Sequence, residues 1–232
     1  MKNILITGGS KGIGRAIAER FAEAGFNIAL VARNQETLEQ AQLELKTAYP
    51  DIEVLALSAD LGKADEAIKV AQTVSAHWPQ LDVLVNNAGL FLQDNLLTEP
   101  AENLEKMMQV NLFGPYHLTR ALRPYLPKQG HIFNICSIAS KQSFPGSGAY
   151  AISKHAMLGL TRALRLELLE ENIKVTAVMP GATWSSSWEG ADIDPKRLVQ
   201  GSDIAEAIYG AWNTSPSTVV EELILRPQLG DL

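Results

Sequence analysis

Short apolar runs recur along the chain: Ile4-Leu5-Ile6, Ile28-Ala29-Leu30-Val31, Val54-Leu55-Ala56-Leu57, Val83-Leu84-Val85, Ile132-Phe133-Asn134-Ile135, Val175-Thr176-Ala177-Val178 and Leu223-Ile224-Leu225. Runs of this length that do not alternate with polar residues predict strands buried on both faces, hence a parallel sheet. The segments between them carry helical spacing. Ile13, Ile17 and Phe21 repeat every four residues and the pattern stops at Gly25, a helix-terminating glycine, while Leu160, Leu164 and Leu168 form another stripe. Parallel strands need crossovers, and helices must cover both faces of the sheet. The alternation therefore predicts an α/β fold, a doubly wound sheet of about seven strands in one domain over residues 1–232. The least regular stretches, 86–100, 137–149 and 180–201, all follow predicted strands. Ligands of open parallel sheets bind outside the carboxyl ends of strands, so the functional residues are expected there.

Composition narrows the function classes. Hydrophobic residues make up 46% of the 232 residues, enough for a core and too many for a disordered chain. A net charge of −6 with no long basic run argues against nucleic acid or an anionic membrane as partner. Cys136 is the single cysteine, which excludes an internal disulfide and a cysteine-based zinc cluster. His77, His117, His131 and His155 show no metal-ligand spacing, so no metal is expected. The N-terminal apolar run is too short for a signal peptide, and no segment approaches the ~20 apolar residues of a membrane span; a cytoplasmic protein is the expectation.

After the first predicted strand comes Thr7-Gly8-Gly9-Ser10-Lys11-Gly12-Ile13-Gly14, which opens the first helix. Glycines there either relieve a tight turn or let the backbone approach a pyrophosphate held on the helix N-terminus, and the strand-turn-helix context favours the second. The second strand runs into Ala32, Arg33 and Asn34. A cofactor with a free ribose 2′-hydroxyl calls for a carboxylate at this place, and a 2′-phosphate calls for an arginine. Arg33, with Lys11 in the glycine turn, points to NADP(H).

Tyr150 and Lys154 stand four residues apart, on one face of a predicted helix. Tyr116 has Arg120 at the same spacing and is a decoy. Ser137 follows the fifth strand, with Ser140 and Ser143 as rivals, and Asn86-Asn87-Ala88-Gly89 closes the fourth. Asn111 lies within a predicted helix, where its amide serves either chemistry or a buried helix irregularity.

Taken in order, Thr7 to Gly14, Asn86 to Gly89, Asn111, Ser137, Tyr150 with Lys154, and Pro180-Gly181 resemble the short-chain dehydrogenase/reductase family in its T-G-x-x-x-G-x-G branch. The closing stretch from Thr218 to Pro227 is similar to bacterial sepiapterin-reductase-like members. The resemblance implies an NADP(H)-dependent reductase of ketones or aldehydes, reversible to alcohol oxidation. Tyr150 is then the general acid/base, Lys154 binds the nicotinamide ribose and favours the phenolate, Ser137 holds the carbonyl oxygen, and Asn111 anchors a water-linked proton relay. It implies cofactor contacts by Gly8, Ser10, Lys11, Gly12, Ile13, Gly14, Arg33, Asn34, Asp60, Leu61, Asn87, Ala88, Gly89, Pro180, Gly181, Thr183 and Ser185, besides Tyr150 and Lys154. Asp60 reads equally as a helix N-cap. Ser185 stands where the family usually has threonine, and Thr176 where many members have asparagine. The resemblance also implies a homo-oligomer, a tetramer or dimer, in which the apolar edge element Leu223-Ile224-Leu225 is covered.

For substrate, Trp184 and Trp188 either pack on the core or form a movable apolar wall, with Phe91 and Phe144 as further candidates. Within the family a β-ketoacyl-carrier-protein reductase is the alternative, and outside catalysis a non-catalytic NADP-binding regulatory protein. The intact Ser137, Tyr150 and Lys154 set favours an enzyme. Nucleotide-sugar epimerases carry a larger C-terminal substrate region than the short segment following Pro180.

Overall fold

In the computed structural model, which describes residues 1–185 and 192–230, every predicted run is a strand. These are β1 (Asn3–Thr7), β2 (Asn27–Ala32), β3 (Val54–Ser58), β4 (Val83–Asn86), β5 (His131–Ile135), β6 (Lys174–Pro180) and β7 (Glu222–Leu225). They form one parallel sheet in the order β3-β2-β1-β4-β5-β6-β7. Seven α-helices of the described residues surround it: α1 (Gly12–Glu23), α2 (Gln35–Ala48), α3 (Ala64–His77), α4 (Glu102–Met108), α5 (Gly114–Leu122), α6 (Gly148–Glu167) and α7 (Gly201–Trp212).

Strand alternation sorts each apolar run onto two cores. Ile4, Ile6, Ile28 and Leu30 pack with Ile17 and Phe21 of α1, Leu38 of α2 and Ile208 of α7. Leu5, Ala29, Val31 and Leu84 face the other way, onto Val70 and Val74 of α3 and Leu118 and Leu122 of α5. Two apolar faces per strand explain why the runs show no alternation in sequence. Helix α1 ends where its apolar repeat ends, with Gly25 at φ +79, a left-handed conformation that glycine adopts without strain.

Burial on both faces fails at the two edges. In β3 only Val54 is fully buried and Ser58 is exposed; in β7, Ile224 is 52% exposed. Each edge strand has a neighbour on one side only, so fewer side chains close over it. The Leu160, Leu164, Leu168 stripe is also only partly inside. The deeply buried line of α6 runs through Ala151, Lys154, Leu158 and Thr161, and polar members at the site interrupt its apolar signal.

At the N-terminal end of β5, His131 is wholly buried, stacked on Phe133 with ring centroids 3.8 Å apart. Its Nε2 lies 2.7 Å from Thr176 Oγ1, whose own hydroxyl donates to Val220 O at 2.6 Å. That commits the Thr176 proton elsewhere, so Nε2–H is the donor and Nδ1 is left without a partner. Burial first, and then the nearby Lys174 cation, push His131 down to about 3.

Because β1 lies between β2 and β4, the connections leave it in opposite directions and open a crevice at its carboxyl end.

Candidate active site

The crevice is built from backbone held in unusual proximity. Gly8 turns with φ +66, and a Cβ there would come within 2.8 Å of Asn87 Nδ2. A Cβ at Gly14 would sit 2.3 Å from Gly8 O, so α1 reaches the turn only because position 14 has no side chain. The Thr7 hydroxyl accepts from the N–H groups of Asn87 and Ala88 at 2.8 and 2.9 Å, and Asn87 Nδ2 donates back to Thr7 O and Gly8 O. These bonds lock the end of β1 to the loop after β4. Asn87 thus holds the wall of the crevice together, and Thr7 shares that role.

The resulting cleft has a volume of about 1170 Å³. Gly8, Ser10, Lys11, Gly12 and Ile13 line it from the glycine turn, Arg33 and Asn34 from beyond β2, and Asp60 and Leu61 from beyond β3. Asn87, Ala88 and Gly89 line it from beyond β4, and Trp184 and Ser185 from beyond β6. Ala32, read with Arg33 at the end of the second strand, is also part of the lining, and Val31, Thr37, Ala59, Leu90 and Val110, not singled out from sequence, complete it. For Thr37 a signal existed: Asn34 Oδ1 accepts its N–H at 2.8 Å, the bond of an N-cap, so the asparagine before a helical segment already places Thr37 in the first turn. Asp60 is not a helix N-cap, since α3 starts at Ala64 and Asp60 Oδ1 accepts from Gly62 N at 3.1 Å. Gly14 lies beneath the turn, and Pro180, Gly181 and Thr183 stand outside the lining. Pro180 ends β6 beside Leu225, Gly181 N donates to Leu225 O, and Thr183 bridges to Val199.

A dinucleotide fits this cleft. The N-cap of α1, Lys11, makes no side-chain cap, so the first-turn N–H groups are available to an anion. A Cβ at Gly12 would meet nothing within 4 Å, which leaves that side of the turn open. Lys11 and Arg33 both line the cleft and are exposed, and Arg33 forms no ion pair among the described residues.

The candidate catalytic side chains lie beyond β5, on the turn that follows it and on helix α6. Ser137 follows β5 and caps the short turn 138–140: its Oγ accepts from Ala139 N at 3.1 Å, and Ser140 Oγ accepts from Ser137 N. Ser140 is therefore the cap's partner rather than a rival. Tyr150 lies in the first turn of α6 and Lys154 one turn further, 4% exposed, with Nζ donating to Ile135 O at 2.8 Å. Nζ lies 5.7 Å from the centre of the Tyr150 ring and 3.7 Å from where a Cβ of Gly89 would be, so the ammonium meets the cleft at Gly89. The decoy pair closes on itself, Arg120 donating to Tyr116 Oη at 2.8 Å on the surface.

Asn111 sits in a π-helical turn, Gln109–Phe113, joining α4 to α5. Its Oδ1 accepts from Leu90 N at 2.7 Å, and its Nδ2 donates to Leu90 O and to Ser153 Oγ, both at 2.9 Å. The side chain is a clamp between the loop after β4 and the helix that carries Tyr150. The next loop residue, Phe91, lays its ring edge-on to Tyr150 at 4.9 Å while 51% exposed. The half-buried Phe144 belongs to a facing loop, joined to that of Phe91 by Asp94 N donating to Gly146 O. Trp184 is half-buried on the cleft; Trp188 lies outside the described residues.

Behind these groups runs a buried polar row that sequence reasoning missed. Asn86 Nδ2 donates to Asn134 Oδ1 at 2.8 Å, and Asn134 Nδ2 donates to Thr161 Oγ1 at 3.0 Å. Burial raises the Cys136 thiol beside it, a dormant neighbour of Ser137. No group of three metal-ligating side chains occurs among the described residues.

The profile of the short chain dehydrogenase family matches residues 2–194. A sepiapterin reductase of Chlorobaculum tepidum is 35% identical over 245 residues, covering 100% of this chain and 99% of that protein. A diacetyl reductase [(S)-acetoin forming] of Staphylococcus epidermidis is 33% identical, covering 89% of this chain and 80% of its own length. Among solved structures, an alcohol dehydrogenase from Thermococcus sibiricus complexed with 5-hydroxy-NADP superposes with a TM-score of 0.90 at 30% identity, covering 98% and 97% of the two chains. The chain belongs to the short-chain dehydrogenase family.

Proposed function

We propose that the protein is an NADP(H)-dependent oxidoreductase that interconverts a small carbonyl compound and its alcohol, with Tyr150 as general acid/base. The observation carrying this proposal is that Lys154 bridges Tyr150, the Ser137 strand end and the cleft wall at Gly89, while Lys11 and Arg33 stand at the far end of the same cleft. When bound, the nicotinamide supplies or accepts the hydride. The first-turn amides of α1 hold the pyrophosphate, and Arg33 with Lys11 takes the 2′-phosphate. In the reducing direction Ser137 and Tyr150 both donate to the substrate oxygen. Ser137 Oγ already accepts the Ala139 N–H, which orients it and leaves its own proton to give. Tyr150 transfers its proton as negative charge develops on that oxygen, and the buried Lys154 ammonium stabilises the phenol oxygen it leaves behind. Asn111 keeps Leu90, and through it Phe91, in place beside Tyr150. Phe91, Phe144 and Trp184 bound the space left for substrate.

The names of the relatives support a carbonyl-reducing direction, one being a sepiapterin reductase and another a diacetyl reductase. Loss of NADPH absorbance with a panel of diketones, simple ketones, ketoacyl thioesters and pterins tests the proposal, and no oxidation with any of them would overturn it. Cofactor choice is tested separately. Arg33→Asp is expected to lower kcat/KM for NADPH by on the order of 10²-fold, through loss of a charge-assisted bond and added repulsion, and to narrow or reverse the preference over NADH. Equal use of both cofactors by the unmodified protein would contradict the assignment.

We further infer a cytoplasmic protein that self-associates into dimers or tetramers. No helix among the described residues is long and apolar enough to cross a membrane. Ile224 on the β7 edge is 52% exposed, and Leu166 and Leu169 at the end of α6 are 70% and 60% exposed, apolar area that a second copy would cover. Light scattering at micromolar concentration is expected to give at least twice the 25.2 kDa of one chain, and a monomeric mass would refute this.

A further inference from the structure

Glu222 opens β7 at the sheet edge, paired in register with Ala177 of β6. Its two carboxylate oxygens go to two different elements of the active site. Oε2 lies 2.6 Å from Lys141 Nζ, and Lys141 is the residue that closes the turn capped by Ser137. Oε1 accepts from Arg162 at 2.7 Å, and Arg162 lies on α6, about two turns beyond Lys154. The Glu222 side chain is 23% exposed, the most enclosed of the three. Both bonds converge on one carboxylate, so the turn after β5 and helix α6 are tied to the same point at the start of β7. The neighbouring pair, Arg165 with Glu221 at 3.2 Å, also ties α6 to the β7 end but does not involve the turn.

We propose that Glu222 is a positioning residue of the reductase site: by joining Lys141 to Arg162 it sets the distance between the Ser137 hydroxyl and the Tyr150 phenol. The substrate oxygen must take hydrogen bonds from both groups at once, so their separation determines how well the transition state is held, while cofactor binding is unaffected. Glu222 itself touches neither substrate nor cofactor. The last strand thereby acts on the chemistry through one carboxylate.

The kinetic part rests on the carbonyl-reductase proposal and uses the full chain with NADPH and 2,3-butanedione. Glu222→Gln, which keeps the shape and removes the charge, is expected to lower kcat about three- to fivefold, the scale of a partly exposed ion pair, with the NADPH Kd unchanged. Lys141→Gln should give the same loss, the double variant no more than either single, and Arg165→Gln none. High salt should lower the wild-type kcat towards that of Glu222→Gln and leave the variant unchanged. Amide exchange at Ala139, whose N–H is held by Ser137 Oγ, should quicken in Glu222→Gln irrespective of turnover. Wild-type kcat in Glu222→Gln, or an equal loss in Arg165→Gln, would overturn the proposal. If the wild type reduced no carbonyl compound, the functional assignment would fall, and the exchange rate at Ala139 would decide the clamp alone: faster supports it, unchanged overturns it.

Discussion

Tyr150→Phe is expected to lower kcat by about 10²–10⁴-fold, the range for loss of a general acid/base, while NADPH still binds with near wild-type affinity. The substitution removes one oxygen and keeps the ring that meets Phe91 edge-on. Lys154 remains anchored, because its bond is to Ile135 O and does not involve the phenol. The cleft residues that would hold the dinucleotide come from the ends of β1 to β4 and β6, so the change leaves them in place. A fluorescence titration of NADPH separates binding from turnover. Wild-type kcat in the variant under conditions where chemistry is rate-limiting would remove Tyr150 from the mechanism.

The second large effect is on stability. His131 is neutral in the folded protein down to about pH 3, whereas in the unfolded chain it takes a proton near its ordinary value of 6.5. The folded value is depressed, so the unfolded state binds more protons throughout this window. Stability is fully present above pH 6.5 and is lost as the pH falls towards 3. At 1.36 kcal/mol per unit the whole window amounts to on the order of 4–5 kcal/mol, a large share of a typical domain's stability. Between pH 6.5 and 4.5 the slope should be due mainly to His131, since Glu44, Glu53, Glu66 and Glu222 are all held below the usual carboxylate value and titrate later. Urea unfolding at a series of pH values should show this slope in the wild type and a flatter one in His131→Leu. Parallel slopes would place the acid sensitivity elsewhere.

The strands were legible because each needs only a local apolar run, and the glycine turn because close backbone approach demands particular residues at fixed spacing. Tyr150 and Lys154 were legible for a similar reason: one helical turn separates them in any α-helix. What escaped depends on partners far apart in sequence. Asn111 reads as a residue inside a helix, and its grip on Leu90 and Ser153 exists only once three elements are assembled. The Thr7 hydroxyl carries no signal of its own until Asn87 and Ala88 arrive from β4. Edge strands looked like central ones because an apolar run does not reveal how many neighbours it will have; Ile224 shows the difference by its exposure. The Leu160 stripe packs against the core, but the most deeply buried line of α6 beside it was not legible because Ser153, Lys154 and Thr161, all buried, are polar.

The π-helical turn at Gln109–Phe113 also constrains how this chain can change length. Such a turn holds one more residue than an α-helical turn, so it is equivalent to a single-residue insertion kept inside a continuous helix. Deleting one residue there would regularise the helix and restore ordinary backbone bonding. It would also rotate everything on one side by about 100°, swinging Asn111 away from Leu90 or Leu118 and Leu122 away from their core. The local gain in regularity is therefore opposed by both the site and the hydrophobic interior, and the irregularity persists because no single-step deletion relieves it without breaking one of them.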